Sequence, residues 1–478
     1  MCAVIKKSAV QKPQLRQTLR WATFGSMLAM VYLTGVSSPA FTDFIRALGG
    51  REIHFAWLGA IPLVMFALQF LGAFLNNRLN FRRRTCATLF FTSRLLYLGI
   101  AVLPYVLRDL PPNTRLSVVL VIAGISAMLS NLAIPLYFAW MADLVPHRLL
   151  SRYWGRRHAW LHLTWCSTYV AMAIITYFVD LPIERLCPYL IGIGVLAGIS
   201  ESVIILKMIP EPRNMLHTQV KMLDALLEPF RHRDYRSFVR FSCLRSAAVM
   251  ATAIFIPYFL LETRNMALWQ TIVLWCILGL GAAVSSSAWG RLAEKHGHRP
   301  VLLLTMCWKP LTMLAYVLPP PQWIFPFLTV WLFFDGIINA GLMVATTGYM
   351  LKMAPQRNRS MFIASILGLA GICGGLSALI AGKLLKTFPD LTLTGWGREW
   401  SNLDALMLAG VLLRVAVIPV GRKVREVNST RTVSFVGALL GIWPLPLARY
   451  PVGLYRQVMR SDVDTDSDDS GGRGVPPS

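Results

Sequence analysis

Long apolar runs alternate with short basic ones along nearly the whole chain. A helix needs about 20 mostly apolar residues to cross a bilayer, because hydrocarbon cannot satisfy stray backbone polar groups. Such runs fall at 21–39, 55–75, 86–107, 117–142, 159–179 and 186–206, then at 241–261, 266–289, 301–318, 324–351, 361–382 and 405–420. The pattern therefore predicts twelve spanning helices, the last of them the weakest because it is short and contains Arg414. The first run follows a basic stretch and ends in Ser-Ser-Pro-Ala, as a cleaved leader would. Its length exceeds a signal core, so it is read as a retained span.

The longest inner loop divides the spans six and six. This predicts an N-terminal six-helix bundle over 1–206, a cytoplasmic linker over 207–240, a C-terminal six-helix bundle over 241–420 and a cytoplasmic extension over 421–478. Within the linker, Leu223, Leu226, Leu227 and Phe230 share one side of a helix, which suits an interfacial segment. In the extension, Phe435 to Ala448 is broken by two prolines and reads as interfacial, and the Asp- and Ser-rich stretch Asp462 to Asp469 reads as disordered. The halves also match internally. Pro146-His-Arg148 after span four parallels Pro355-Gln-Arg357 after span ten at an offset of 209, Asn131 parallels Asn339 at 208, and Gly72 parallels Gly290 at 218. Three matches in one order point to duplicated halves.

Composition narrows the class. The 478 residues are 55% hydrophobic and 15% charged, against roughly 25% charged in an average soluble domain. Together with a mean hydropathy of +0.54, this excludes a soluble or disordered chain. The net charge of +24 could serve nucleic acid, an anionic substrate or a membrane rim, and its distribution decides. With the N-terminus inside, 34 Lys and Arg residues fall on the inner side, 9 on the outer side and four within spans. The positive-inside rule then places both termini in the cytoplasm. A belt repeated in every inner loop gathers on no single groove, so no nucleic-acid partner is expected. The eight cysteines lack ligand spacing and read as apolar packing residues.

One inner loop carries a motif. After span eight the chain reads Gly290-Arg-Leu292-Ala-Glu294-Lys-His-Gly297-His-Arg299-Pro. This resembles the inner-loop signature of the major facilitator superfamily, with Gly290, Leu292, Glu294, Gly297 and Arg299 in the matching places. The resemblance implies a gating role: close helix packing at Gly290, a tight turn at Gly297, and a charged latch between Glu294 and Arg299. The first-half copy, from Gly72 to Arg84, lacks both the acid and the second glycine. Asp143, with Arg148 and Arg152 in the turn that follows, resembles the acidic end of span four in that superfamily, and Asp143 is placed to pair with Arg82 to Arg84. The resemblance implies an all-α membrane protein of two pseudo-symmetric six-helix bundles with spans one, four, seven and ten around a central cavity.

An ionisable side chain inside a span is expensive and points to function. Arg245 in span seven and Asp335 in span ten are the leading candidates: Arg245 for a polar or anionic substrate group, Asp335 as its counter-charge or as a proton-coupling carboxylate. Asn339 lies one turn from Asp335 on the same face. Glu201, a second coupling candidate, is also placed to pair with Arg94. Uncharged candidates for the cavity are Tyr32, Gln69, Asn131, Tyr137 and Tyr258, each equally able to form an interhelical hydrogen bond. His158, His162 and Cys166 share a face of span five, but no fourth ligand accompanies them, so neither a metal nor another cofactor is expected. Gly194-x-x-x-Gly198 and Gly371-x-x-x-Gly375 read as packing within a bundle.

These features predict a secondary transporter that moves a small-molecule substrate by alternating access, a symporter if a proton is the coupling ion. It is expected to be a monomer in the lipid bilayer of the bacterial inner (plasma) membrane and not an enzyme. No Walker-type loop is present for ATP hydrolysis. Two other readings stay open: a non-transporting relative acting as sensor or membrane-complex assembly factor, and a membrane-embedded enzyme using the span-five histidines.

Overall fold

The structure, a computed structural model, describes residues 12–106, 109–145, 147–211, 233–353, 359–395, 398–424 and 426. Among the described residues, twelve helical stretches are long and apolar enough to cross a membrane: Leu15–Ala47, Glu52–Asn76, Arg83–Val106, Pro112–Met141, Arg157–Phe178, Ile183–Met208, Tyr235–Glu262, Leu268–His296, His298–Val317, Pro321–Met350, Phe362–Thr387 and Asn402–Arg422. They are numbered here as spans one to twelve and form two six-helix bundles. Helical hydrogen bonding often outruns the apolar run: the helix containing span five starts at His147 and that containing span seven at Arg233. The linker segment 220–230, the run 435–448 and the acidic tail lie outside the described residues.

Two spans are broken by proline, which supplies no N–H to continue the ladder. Span one stops at Ser37 and resumes as Pro39–Ala47, with the Ser38 hydroxyl accepting from the Phe41 amide. Span seven stops at Ala253 and resumes as Ile256–Glu262, with Pro257 in its first turn. Span twelve is longer than its apolar run, Ser401 capping its start through the Asp404 amide. A short antiparallel hairpin, Leu393–Gly395 with Arg398–Trp400, precedes it and is an addition to the all-helical pattern expected from the sequence.

Within the first half, span one packs on span six and span three on spans four and six; within the second, span eight packs on span ten and span nine on spans ten and twelve. Across the halves, span two pairs with span eleven and span five with span eight. At the end where span one finishes, both halves share a core that includes Phe41, Phe44, Phe55, Phe255, Phe259 and Leu328. At the end where span one begins, the cores are separate, one around Phe238, Trp289 and Tyr349 and the other around Phe90, Trp140 and Met141. The halves are thus sealed together at one end and part at the other.

Glycines set the closeness of the cross-half contact. A Cβ on Gly371 would collide with the Leu63 carbonyl oxygen, one on Gly375 would lie 2.7 Å from the Val64 side chain, and one on Gly368 2.9 Å from the Phe70 ring. The Gly371 and Gly375 pair therefore joins the two halves, a correction to the expectation of packing within a bundle. The sequence gives the small face but not the helix that meets it. Gly194 and Gly198 do pack within one bundle, against Tyr32 and Arg94. Gly371→Leu is expected to wedge spans two and eleven apart. Overpacking of this kind costs about 1–3 kcal/mol, so the thermal midpoint in detergent should fall and solute flux should drop; an unchanged midpoint would show that the contact is dispensable.

Candidate functional site

Among the described residues, the ionisable side chains that lie well inside the spans, away from their ends, gather in two clusters, one in each half. In the first, the Arg94 guanidinium meets Glu201 Oε2 at 3.1 Å and Ser130 Oγ at 3.0 Å. It lies over the rings of Tyr32 at 4.4 Å and Phe90 at 4.9 Å. Ser93 links to the hydroxyls of Ser126 and Ser130 at 2.8 and 2.7 Å. Arg94 and Glu201 are each 6% exposed, so the charges neutralise each other out of contact with water. Tyr32 and Glu201, both singled out from the sequence, are thus brought together around Arg94.

Other first-half candidates satisfy one another. Gln69 Nε2 donates to Asn131 Oδ1 at 2.9 Å, tying span two to span four, and Asn131 Nδ2 donates to the Ala127 carbonyl. Tyr137 shares the Ser26 hydroxyl at 3.3 Å, to which Arg157 also donates at 2.9 and 3.1 Å.

The second cluster is built differently. Asp335, 4% exposed, receives Lys309 Nζ at 3.0 Å on both carboxylate oxygens and Thr312 Oγ1 at 2.6 Å. The counter-charge of Asp335 is therefore Lys309 and not Arg245. Lys309 reaches it because spans nine and ten pack side by side, a rotational relation that sequence cannot supply. Arg245 instead lines a small cavity together with Lys309, Arg414, Met306 and Leu342. Arg414, 5% exposed, donates to the Gly410 and Val249 carbonyls at 3.0 and 3.3 Å and to Thr252 Oγ1 at 2.8 Å. No hydrogen bond or ion pair engages Arg245 among the described residues, and its Nε is sealed from solvent. Asn339 is half-buried one turn from Asp335.

Tyr258 lies elsewhere. The break in span seven places it in the sealed end, its ring 4.5 Å from that of Phe55 in span two, so it closes the molecule instead of lining a cavity. Beside it, Arg46 bridges the halves to Glu262 at 2.9 Å and holds Asp43 of its own helix at 2.8 Å. A further buried pair, Arg264 with Asp404 at 2.7 Å, fastens the end of span seven to the start of span twelve.

At the opposite end the inner-loop motif is only partly as expected. Gly297, at φ 91°, makes the tight turn between spans eight and nine. Gly290 has nothing within 4 Å of where a Cβ would stand, contrary to a role in close packing. Spans eight and ten approach instead at Gly281 and Gly336, where a Cβ would collide with the Phe333 and Leu278 carbonyls. Leu292 packs against the second-half core. Glu294 is exposed and makes no ion pair with Arg299 among the described residues. Arg299 turns to the end of span twelve, its amide donating to Glu426 Oε2 at 2.7 Å and its guanidinium to the Arg422 carbonyl at 3.0 Å. The first half repeats this device: Glu211, past span six, accepts from the backbone amides of Arg82 and Arg83, the latter at 3.0 Å. The side chains of Asp143, Arg148 and Arg152 lie outside the described residues. Sequence reasoning missed Glu211 and Glu426, although their separation of 215 residues matches the repeat offset and would have flagged them.

Comparison with known proteins decides the family. Residues 23–382 match the family model described as Major Facilitator Superfamily. The chain belongs to the major facilitator superfamily. The α-ketoglutarate permease of Escherichia coli (strain K12) is 30% identical over 162 residues, which are 32% of this chain and 36% of that one, so the chain spans about a third of the length of this relative. Among solved structures, the nucleoside transporter NupG superposes with a TM-score of 0.60 at 14% identity over 86% of this chain and 98% of that one. A bacterial homolog of the human lysosomal transporter Spinster, in an inward-facing and unoccupied conformation, superposes at 0.62 with 14% identity over 86% and 98%. A D-xylose–proton symporter gives 0.57 at 14% identity over 87% and 99%. At these identities the structures establish the superfamily's shared fold. The family and the permease are transporters, and with twelve membrane-length helices among its described residues this member is an integral multi-pass membrane protein of a transport family.

Proposed function

We propose that this superfamily member is a secondary active transporter that carries a small polar solute across the bacterial inner membrane by alternating access, with proton coupling. The carrying observation is the contrast between one shared core at the sealed end and two separate cores at the other. With both termini cytoplasmic, as the basic inner loops require, this is an inward-facing state, and Glu294 and Arg299, not joined to each other in it, are a latch that engages when the inner end closes. Residues 1–206 and 241–420 act as the two rocking bodies and 207–240 as their link. Asp335 and Glu201 are the coupling carboxylates, each held by one cation, Lys309 or Arg94. A carboxylate released from its cation in an apolar interior takes up a proton readily, because burial disfavours the charged form.

The test is flux in proteoliposomes containing the full chain. With the outside acidified, a transported solute should accumulate and a protonophore should collapse the gradient, while solute counterflow continues. A purified protein that carries no solute from a broad library under any imposed gradient, and that co-purifies with one membrane complex, would instead identify a sensor or assembly factor.

A further inference from the structure

The two buried ion pairs inside the spans differ in what is left when their carboxylate is neutralised. Both oxygens of Asp335 are engaged, and among the described residues Lys309 Nζ donates to that carboxylate alone. A proton on Asp335 would strand the ammonium, the costly outcome for a buried pair. Arg94 is held otherwise. Its Nη2 meets only Oε2 of Glu201, and Oε1 makes no hydrogen bond among the described residues. Its Nη1 donates to Ser130 Oγ at 3.0 Å, and the guanidinium carbon lies over the rings of Tyr32 and Phe90. With Arg94 donating to Ser130, the Ser130 proton is directed at Ser93 Oγ, 2.7 Å away, and the Ser93 proton at the Ser126 carbonyl, 3.0 Å away. The negative ends of these dipoles therefore line up towards the guanidinium. Gly198 leaves the room for this arrangement, since a Cβ there would lie 2.8 Å from Arg94 Cγ and 3.2 Å from Tyr32 Cγ.

We propose that Glu201 takes up its proton in place, on Oε1, and that Ser130 and Tyr32 are the positioning residues that hold Arg94 once its counter-charge is gone. One O–H bond forms, and the cluster passes from neutral to a single positive charge on Arg94. The guanidinium cannot shed that charge by deprotonating, so neutral groups must support it. A hydroxyl oxygen at one edge and an aromatic face are groups that do so without a carboxylate. The other charged or titratable groups that face this pair are Cys86 of span three, Tyr137 of span four and Arg157 of span five. None of them is an acid that could replace Glu201 beside Arg94. Asp335, by contrast, exchanges a proton only when Lys309 moves away. The part that Glu201 plays in coupling rests on the transport reading above; its protonation in place does not.

The experiment combines thermal midpoints of the purified full chain in detergent with infrared difference spectra, in which a protonated carboxyl group shows its carbonyl stretch as the pH is lowered. Glu201→Gln, which resembles the protonated acid, should lower the midpoint by less than about half the shift that Asp335→Asn gives. Added to Glu201→Gln, Ser130→Ala and Tyr32→Leu should each lower the midpoint by more than they do in the parent, because Arg94 then has no carboxylate; residues that only fill space give additive losses. In the spectra, one carboxyl band should be absent from Glu201→Gln and persist when Asp335→Asn is combined with Lys309→Met. Ser130→Ala should move the midpoint of that band to lower pH, by about tenfold in proton concentration for one lost hydrogen bond to a charged group. Tyr32→Leu should move it the same way, and Tyr32→Phe, which keeps the ring, should leave it in place; Ser130→Ala serves alone if Tyr32→Leu does not fold. A midpoint loss in Glu201→Gln equal to that in Asp335→Asn, additive losses, a band that survives Glu201→Gln, or a band unmoved by Ser130→Ala would each overturn the proposal. If these results hold while Glu201→Gln still accumulates solute under a proton gradient, Glu201 is not a coupling group and its protonation in place stands. Accumulation lost in Glu201→Gln with additive midpoint losses would do the reverse.

Discussion

Asp335→Asn is expected to abolish proton-driven accumulation and to destabilise the protein by about 3–5 kcal/mol, the usual cost of removing one member of a buried ion pair. The carboxylate holds Lys309 Nζ with both oxygens and accepts from Thr312 at 4% exposure. An asparagine leaves the ammonium unpaired in a cavity that already holds two guanidinium groups. Loss of the fold and loss of the coupling site can be separated by adding Lys309→Met, which removes the stranded charge. The double variant should recover most of the thermal midpoint of the parent. It should still fail to accumulate solute, while counterflow, which moves no net protons, continues and loses its pH dependence. If Asp335→Asn with Lys309→Met accumulates solute under a proton gradient as the parent does, Asp335 is not the coupling group.

A second large effect is expected from joining Cys166 to Cys276. Span five and span eight meet across the halves, and there the Cys166 thiol donates to the Cys276 carbonyl at 3.8 Å while the Cys276 thiol donates to the Cys166 carbonyl at 3.7 Å. Oxidation by oxygen with copper-phenanthroline converts the two thiols to one disulfide, with two protons released and two electrons passed to the oxidant. If the halves rock against each other along this contact, the bridge should reduce flux to the level of empty vesicles, and dithiothreitol should restore it. Cys276→Ser should make transport indifferent to the oxidant. Cys243 and Cys373 are also neighbours, but both lie in the second half, so a bridge there should leave rocking free. Full flux through protein shown by mass spectrometry to carry the Cys166–Cys276 bridge would rule out sliding at this contact.

The spans were legible because lipid imposes one length and one composition on every crossing helix. The Arg94–Glu201 pair was legible for a related reason, since charges buried in a bundle must find each other. Rotation about each helix axis was not. Nothing in the sequence set Lys309 against Asp335 until span nine was placed beside span ten, and Arg414 looked like a blemish in a weak span until its donors were seen to meet Gly410, Val249 and Thr252. Tyr258 was misplaced because Pro257 was not read as a break in span seven, although a proline at that point is a legible signal. Gly290 was given a role by analogy with the motif, whereas the close approach it was meant to supply is made by Gly281 and Gly336. The cross-half role of Gly371 depends on what span two presents to it, and no feature of span eleven alone records that.

The paired carboxylates Glu211 and Glu426 have a mechanical meaning. Each reaches from beyond the last helix of its half to the amides that open the third helix of the same half. The polypeptide is therefore buckled back on itself at the wide end of each bundle, where the two bodies have no common core to stiffen them. A lever transmits a tilt only if its free arm does not splay, and these two buckles are what keep each arm in one piece.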